Sequence, residues 1–250
     1  MIESLWEDHY RVRSYEGGPQ GKLKFVTLCD WMQESGWKHA EHLGLGHTYL
    51  SGRNLAWVLS RMYIRIAELP RWGEAVKLLT WPSGRDKLFC YRDYRVLDVN
   101  EAVIVEATTT WFVIDMLKRR PQRTDSYFPE NVPEPLASVL PDRLQKLGSR
   151  TTENEAGSWP VRYRDLDMNL HVNNVRYIER IMDSFPAEFQ QEHLLSEFEI
   201  NYIAEAMAGN FINSYTDKPV DKDRLEYAHR LMRRCDALDL CKARTVWLER

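Results

Sequence analysis

The chain of 250 residues carries one pattern twice, and that repetition is what most restricts its fold. In the first copy, residues 25–45 place Leu28, Met32, Trp37, Ala40 and Leu43 at three-to-five spacing, and Gly44 and Gly46 follow. The spacing predicts one helix, starting at Thr27 or Asp30. Residues 55–66, 74–81, 88–97 and 102–114 are then rich in β-branched and aromatic types, with rough apolar–polar alternation. Pro70 with Gly73, Pro82-Ser83-Gly84, and Asp98 with Asn100 separate them, so four antiparallel strands are expected. In the second copy, residues 173–185 hold Val175, Ile178, Met182 and Phe185 at helical spacing, with Pro186 just beyond. Strands are expected at 198–207, 211–215, 225–235 and 238–248, with turns at Asp217-Lys218-Pro219 and at 234–238. Residue identities are not repeated; the organisation is, at a separation of about 145 residues. Residues 125–157, with Pro129, Pro133, Pro135 and Pro141, read as a linker holding a short helix at 136–147.

A helix followed by an antiparallel sheet is the α+β hotdog arrangement. The expected fold is a tandem double hotdog, two long helices each wrapped by an antiparallel sheet. The expected division is a first hotdog over 1–125, a linker over 126–157 and a second hotdog over 158–250. Lys and Arg total 34 against 37 Asp and Glu, a net charge of −3, which argues against a nucleic-acid partner. No stretch approaches the ~18 apolar residues that a membrane helix needs. Met1 to Arg13 carries Glu3, Glu7 and Asp8 and lacks the apolar run of a secretory signal. Cys29, Cys90, Cys235 and Cys241 form no CxxC pair, which favours reduced thiols in the cytoplasm and disfavours a zinc site. His39, His42 and His47 lie near Glu34 and Glu41 without an H-E-x-x-H spacing and read as surface histidines. With no phosphate loop and no dinucleotide fingerprint, no cofactor is expected.

The densest polar run in an apolar setting spans Asp165 to Asn174. Asp167, Asn169 and His171 lie at i, i+2 and i+4, so an extended segment would project all three to one side. The helical pattern starts immediately afterwards. A helix N-terminus offers free N–H groups and partial positive charge, which suit a developing oxyanion. An acid, an amide and an imidazole in that position are candidates for a hydrolytic centre. The same residue types also cap helices, and the residues by themselves leave both readings open.

The stretch Val161-Arg-Tyr-Arg-Asp-Leu-Asp-Met-Asn-Leu-His-Val-Asn-Asn-Val-Arg-Tyr177 resembles the signature of the fatty acyl-[acyl-carrier-protein] thioesterases of plants and bacteria. Leu69-Pro-Arg-Trp-Gly-Glu-Ala-Val76, Thr80-Trp-Pro-Ser-Gly84, Trp111 and Arg119-Arg-Pro121 resemble landmarks of the same family, as does Glu199-Ile-Asn-Tyr-Ile-Ala-Glu-Ala206. The resemblance implies a tandem double hotdog that hydrolyses the thioester between a fatty acyl chain and the phosphopantetheine arm of acyl carrier protein. By position it implies Asp167, Asn169 and His171 as catalytic, together with Glu205 on a strand. A cysteine that some descriptions of the family invoke directly after that acid is Ala206 here. The expected mechanism is therefore attack by water with Glu205 as general base. Asn169 and His171 would position water and thioester, and Asp167 would orient the motif. Backbone N–H groups near Val172, Asn173 and Asn174 would receive the oxyanion. A buried Glu205 would titrate closer to neutrality than an exposed one.

The resemblance also implies an acyl tunnel mainly in the first hotdog, with Trp31, Met32, Trp37, Leu55, Trp57 and Met62 as its candidate lining. Each is equally an ordinary core residue type. An acidic carrier protein needs a local basic patch on a chain of net charge −3. Two runs qualify, Lys118, Arg119, Arg120 and Arg123, and separately Arg230, Arg233 and Arg234. The rival readings are an acyl-CoA thioesterase, a double-hotdog hydratase or dehydratase, and a non-catalytic acyl-binding module. Both a monomer and a homodimer are compatible with the sequence.

Overall fold

Helical spacing and strand alternation are each realised in two units, Met1–Leu144 and Gln145–Arg250. The computed structural model describes residues 3–129, 132–148, 154–217 and 225–250.

The first unit contains β1 (Trp6–Arg11), α1 (Phe25–His42), α2 (His47–Ser51), β2 (Leu55–Ile66), β3 (Ala75–Arg85), β4 (Cys90–Leu97), β5 (Val103–Asp115) and β6 (Arg120–Gln122). Its sheet runs β1-β3-β4-β5-β2, all antiparallel, with β6 taking up the β5 edge where β4 has ended. The helix α1 packs against β3 and β1. It buries Phe25, Leu28, Cys29, Met32, Ser35, Gly36 and His39, a stripe at helical spacing. A Cβ at Gly36 would stand 2.7 Å from the Tyr94 hydroxyl, so glycine is what lets helix and sheet approach there. The helix begins at Phe25, ahead of Thr27 and Asp30, and Gly44 follows it in the left-handed region at φ +70°. Trp37 faces away from the buried stripe and is 52% exposed, so it does not line the interior of this unit.

Residues 136–147 form no helix. They run as irregular chain, and in the first unit they are held by side-chain and backbone bonds to the sheet. Leu136 N–H donates to Pro82 O at 3.0 Å, and Trp81 Nε1 donates to Ala137 O at 2.9 Å. Asp93 is fully buried on β4 and supplies the main anchor. Its Oδ1 accepts from Ser83 Oγ (2.9 Å) and Thr108 Oγ1 (2.6 Å). Its Oδ2 accepts from Ser138 Oγ (2.8 Å) and Val139 N–H (2.7 Å). A buried carboxylate with four donors is a satisfied structural group.

His39 is likewise fully buried, whereas His42 and His47 are exposed as expected. Its place on the buried stripe of α1 draws His39 inside, away from the surface position expected for it. Arg92 Nη1 donates to its Nδ1 at 3.0 Å, and its Nε2 lies 3.1 Å from Glu3 O. Arginine can only donate, so this geometry needs the neutral ring protonated on Nε2.

The second unit contains β7 (Glu155–Pro160), α3 (Asn174–Met182), α4 (Ala187–Glu192), β8 (His193–Tyr202), β9 (Phe211–Thr216), β10 (Leu225–Arg233) and β11 (Leu238–Glu249). Its sheet runs β8-β11-β10-β9-β7, again antiparallel. The helix α3 is 9 residues long against 18 for α1. Asn173 caps it by accepting from Val175 N–H at 2.8 Å. The strand expected at 198–207 lies at His193–Tyr202 instead. Ile203 and Ala204 N–H both donate to Leu240 O, at 2.8 and 3.2 Å, which ends the regular ladder. Lys218 and Pro219 of the expected turn lie outside the described residues.

Burial pulls the His39 imidazole down to about 4, with the Arg92 charge adding to the effect. Burial alone pulls His229, set between Thr216 and Thr245 hydroxyls, down to about 3. The unfolded chain therefore binds more protons than the folded one between pH 6.5 and about 4, and stability must fall as pH drops through that window. The expected loss for His39 is on the order of 2–3 kcal/mol. Denaturant unfolding at pH 7 and pH 4.5 checks this, and His39→Gln should reduce the dependence to the part that His229 contributes.

Candidate active site

Asp165 to Asn173 is not an extended segment. Leu166 and Val172 form an antiparallel bridge. Inside it, Asp167 N–H donates to His171 O at 2.8 Å and Leu170 N–H donates to Asp167 O at 3.0 Å. The chain therefore closes a tight turn, with Leu170 in the left-handed region at φ +62°. The Asp167 carboxylate holds it from within. Its Oδ1 accepts from Asn169 N–H (2.8 Å) and His171 N–H (3.2 Å), as Asx turns do. Alternate spacing thus places Asn169 at the exposed tip and returns His171 to the base, where its side chain is 18% exposed.

The base of the turn meets the chain just beyond β8. His171 pairs with Met207 in a second bridge, and Val172 N–H donates to Ala206 O at 2.9 Å. Glu205 thereby comes to His171, with Oε1 3.5 Å from Nδ1. Glu205 lies past the end of the strand rather than on it, and its side chain is 35% exposed rather than buried. The structure therefore brings Glu205 and His171 together, uses Asp167 to shape the turn, and leaves Asn169 exposed.

The three candidate oxyanion donors differ. Val172 N–H is committed to Ala206 O, and Asn173 N–H donates to Asp165 O at 2.9 Å. Asn174 N–H, in the first turn of α3, has no acceptor among the described residues. Asp165, which lies outside the triple of Asp167, Asn169 and His171, ties the whole turn down. Besides receiving Asn173 N–H, it accepts from Arg162 N–H at 2.7 Å and sits 3.5 Å from Arg180. Its place three residues after Arg162, at the end of a single 3₁₀ turn (Tyr163–Asp165), was the available signal.

No buried thiol competes as a nucleophile. Burial raises Cys29 and Cys241 well above the ordinary thiol range and Cys90 to about 11. Cys235 is exposed, its sulfur 3.8 Å from Asp236.

Of the candidate acyl-pocket residues, Trp31, Met32 and Met62 are buried in the first unit. Trp31 stacks on Tyr10 at 4.6 Å, and its Nε1 donates to Glu16 Oε1 at 3.3 Å. Leu55 and Trp57 pack on a cluster of Leu45, Leu50, Val113 and Tyr127. Trp57 Nε1 donates to Leu45 O at 2.8 Å.

The two basic runs also differ. Lys118, Arg119, Arg120 and Arg123 are exposed around the β5–β6 hairpin, with Lys118 3.7 Å from Asp115 and Arg123 2.8 Å from Asp125. In the other run, Arg230 pairs with Asp239 and Arg233 pairs with Asp236 at 2.7 Å, so two of its three charges are neutralised across the β10–β11 hairpin. Arg234 lies over the Phe211 ring at 5.9 Å.

The two units are those of a double-hotdog protein. The same fold occurs in an acyl-ACP thioesterase from Bacteroides thetaiotaomicron, at TM-score 0.84 and 24% identity over 98% of both chains. It occurs in the 12:0-ACP thioesterase from Umbellularia californica at TM-score 0.83, 24% identity and 100% and 99% coverage. The sequence profile of the acyl-ACP thioesterase N-terminal domain matches residues 3–130, and that of the C-terminal domain matches residues 148–249. The chain belongs to the acyl-ACP thioesterase family. It is 31% identical to the chloroplastic acyl-[acyl-carrier-protein] hydrolase FATB1 of Cuphea viscosissima over 95% of its length. It is 28% identical to the chloroplastic palmitoyl-acyl carrier protein thioesterase of Gossypium hirsutum over 97%. The chain spans 60% and 63% of the length of those two relatives.

Asp167→Ala removes the acceptor for two turn N–H groups and should destabilise the fold by about 1–2 kcal/mol. Asp167→Asn retains an amide oxygen and should lose less. Thermal unfolding of the two variants checks the order.

Proposed function

We propose that this chain hydrolyses fatty acyl-acyl-carrier-protein thioesters to free fatty acid and holo carrier protein. The observation that carries the reading is the approach of Glu205 to His171 beside the N-terminus of α3. Glu205 takes a proton from water as its oxygen attacks the thioester carbonyl carbon. His171 holds the carboxylate and the water in place, and Asn169 at the exposed tip receives the incoming thioester. The Asn174 N–H and the α3 dipole stabilise the tetrahedral oxyanion. Its collapse breaks the C–S bond, and the proton held by Glu205 passes to the leaving thiolate. With Ala206 after the acid and the buried thiols held protonated, no acyl-enzyme through cysteine is needed.

The relatives are named as acyl-carrier-protein thioesterases, which supports the carrier protein over coenzyme A as the leaving group. For the acyl chain, the apolar interior of the first unit around Met32, Leu55, Trp57 and Met62 is our candidate lodging, with Trp31 beside it. For the carrier, the run Lys118, Arg119, Arg120 and Arg123 is preferred over Arg230, Arg233 and Arg234, because its ion-paired members stay open to solvent, at 75% for Lys118 and 62% for Arg123 against 32% for Arg230 and 22% for Arg233. The scattered cysteines place the protein in the cytoplasm on our reading, whereas the plant relatives are named chloroplastic. No helix among the described residues is long and apolar enough to cross a membrane.

Thiol release from a panel of acyl-carrier-protein thioesters, with acyl-CoA as control, tests the function directly. The carrier thioesters should be hydrolysed with the higher kcat/KM, and Glu205→Gln should lower kcat by roughly 10²–10⁴-fold with the fold intact. Rapid hydrolysis by Glu205→Gln rules out the general base. Preference for acyl-CoA favours the rival substrate. Charge reversal at Arg119 and Arg120 should raise KM for the carrier thioester and reduce its dependence on salt, with the acyl-CoA KM unchanged.

A further inference from the structure

Glu205 lies where the main chain has left β8, so the sheet does not hold it. Four consecutive residues there are each tied by their backbone groups. Ile203 and Ala204 donate to Leu240 O, and Glu205 O accepts from Arg233 Nη1 at 2.9 Å. Ala206 O accepts from Val172 N–H, and Ala206 N–H donates to the Tyr177 hydroxyl at 3.0 Å. Tyr177 is buried on α3, one turn beyond the Asn173 cap. Tyr202, the last residue of β8, reaches the other way, donating its hydroxyl to Asn174 O at 3.1 Å. The two rings meet edge to face at 6.1 Å. The helix that follows His171 and the segment that carries Glu205 are thus joined by two tyrosine hydroxyls running in opposite senses.

We propose that Tyr177 and Tyr202 are positioning residues, a reciprocal lock that sets the separation of Glu205 and His171. The proposal rests on the reading of Glu205 as general base. Neither tyrosine touches a reacting atom. Ala206 is fully buried, so without the Tyr177 hydroxyl its N–H has no water to turn to. The segment must move to satisfy that donor, and Glu205 moves with it. Displacements near 1 Å cost about 10²-fold when a catalytic group is misplaced. Tyr177 is pushed above the ordinary phenol range by burial, so it stays neutral; Glu205, Arg233 and the Cys241 thiol are the ionisable groups that act on it. Arg233 belongs to this same support through Glu205 O.

Phenylalanine keeps each ring and removes only the hydroxyl. Tyr177→Phe, Tyr202→Phe and the double variant are compared with Glu205→Gln by thiol release from an acyl-carrier-protein thioester across pH. Each single change should lower kcat on the order of 10-fold with KM within about twofold, and should shift the acid limb of the kcat profile. A kcat within about twofold of the parent in both singles overturns the lock. So does a fall in kcat with the acid limb unmoved, which is what general loosening of the fold would give. If Tyr177→Phe does not fold, Tyr202→Phe alone decides. Parental rates in Glu205→Gln would instead remove the general-base reading, and the lock as a device for that base with it.

Discussion

The site depends on where β8 stops. Two N–H groups, from Ile203 and Ala204, converge on the single carbonyl of Leu240, and the ladder does not continue beyond them. The chain beyond is then free to pair with the turn that carries His171, through the bridge to Met207 and the Val172–Ala206 bond. Had the strand run on to residue 207, its backbone would have been spent within the sheet. Glu205 would then have had no reason to meet an imidazole from a distant part of the chain.

Polar groups do different work according to their solvent cover, and the two units supply contrasting examples, the sealed His229 of the second apart. In the first, Asp93 and His39 are sealed in with their partners complete, and they fasten irregular chain and helix to the sheet. Satisfied this fully, such groups have little capacity left for chemistry. In the second, Glu205 and His171 are only partly covered and approach each other at 3.5 Å, close enough to interact and open enough for water. Degree of solvent cover, more than residue type, separates the structural carboxylate from the candidate catalytic one.

Local pattern was legible wherever one periodicity ran unbroken. Residues 55–66 read as a strand, and β2 occupies those positions. The stripe of Leu28 and Met32 read as a helix face and is one. Short elements escaped: β6 and the short helices α2 and α4 carry too few residues for a period to show, and β1 and β7, as long as the expected β9, contain no β-branched residue. The resemblance implies Trp37 and Trp31 alike as lining, yet six positions on a helix rotate Trp37 by about 120° from Trp31, off the buried stripe and into solvent. Arg233 read as part of a basic patch because sequence does not reveal that a hairpin sets Asp236 beside it and the Glu205 carbonyl within reach.

By itself the sequence determined the twofold helix-and-sheet organisation, the motif at 161–177 with its acid, amide and imidazole, and the alanine in place of a cysteine after Glu205. These are local facts, carried by spacing and residue type. Only the tertiary structure decided that the motif is a closed turn rather than an extended edge, that two of three candidate oxyanion N–H groups are already taken, and that Glu205 leaves its strand to reach His171. Each of those turns on which distant backbone group a donor finds. Hydrogen-bond partners across the fold are chosen by the global path of the chain, which no local period encodes.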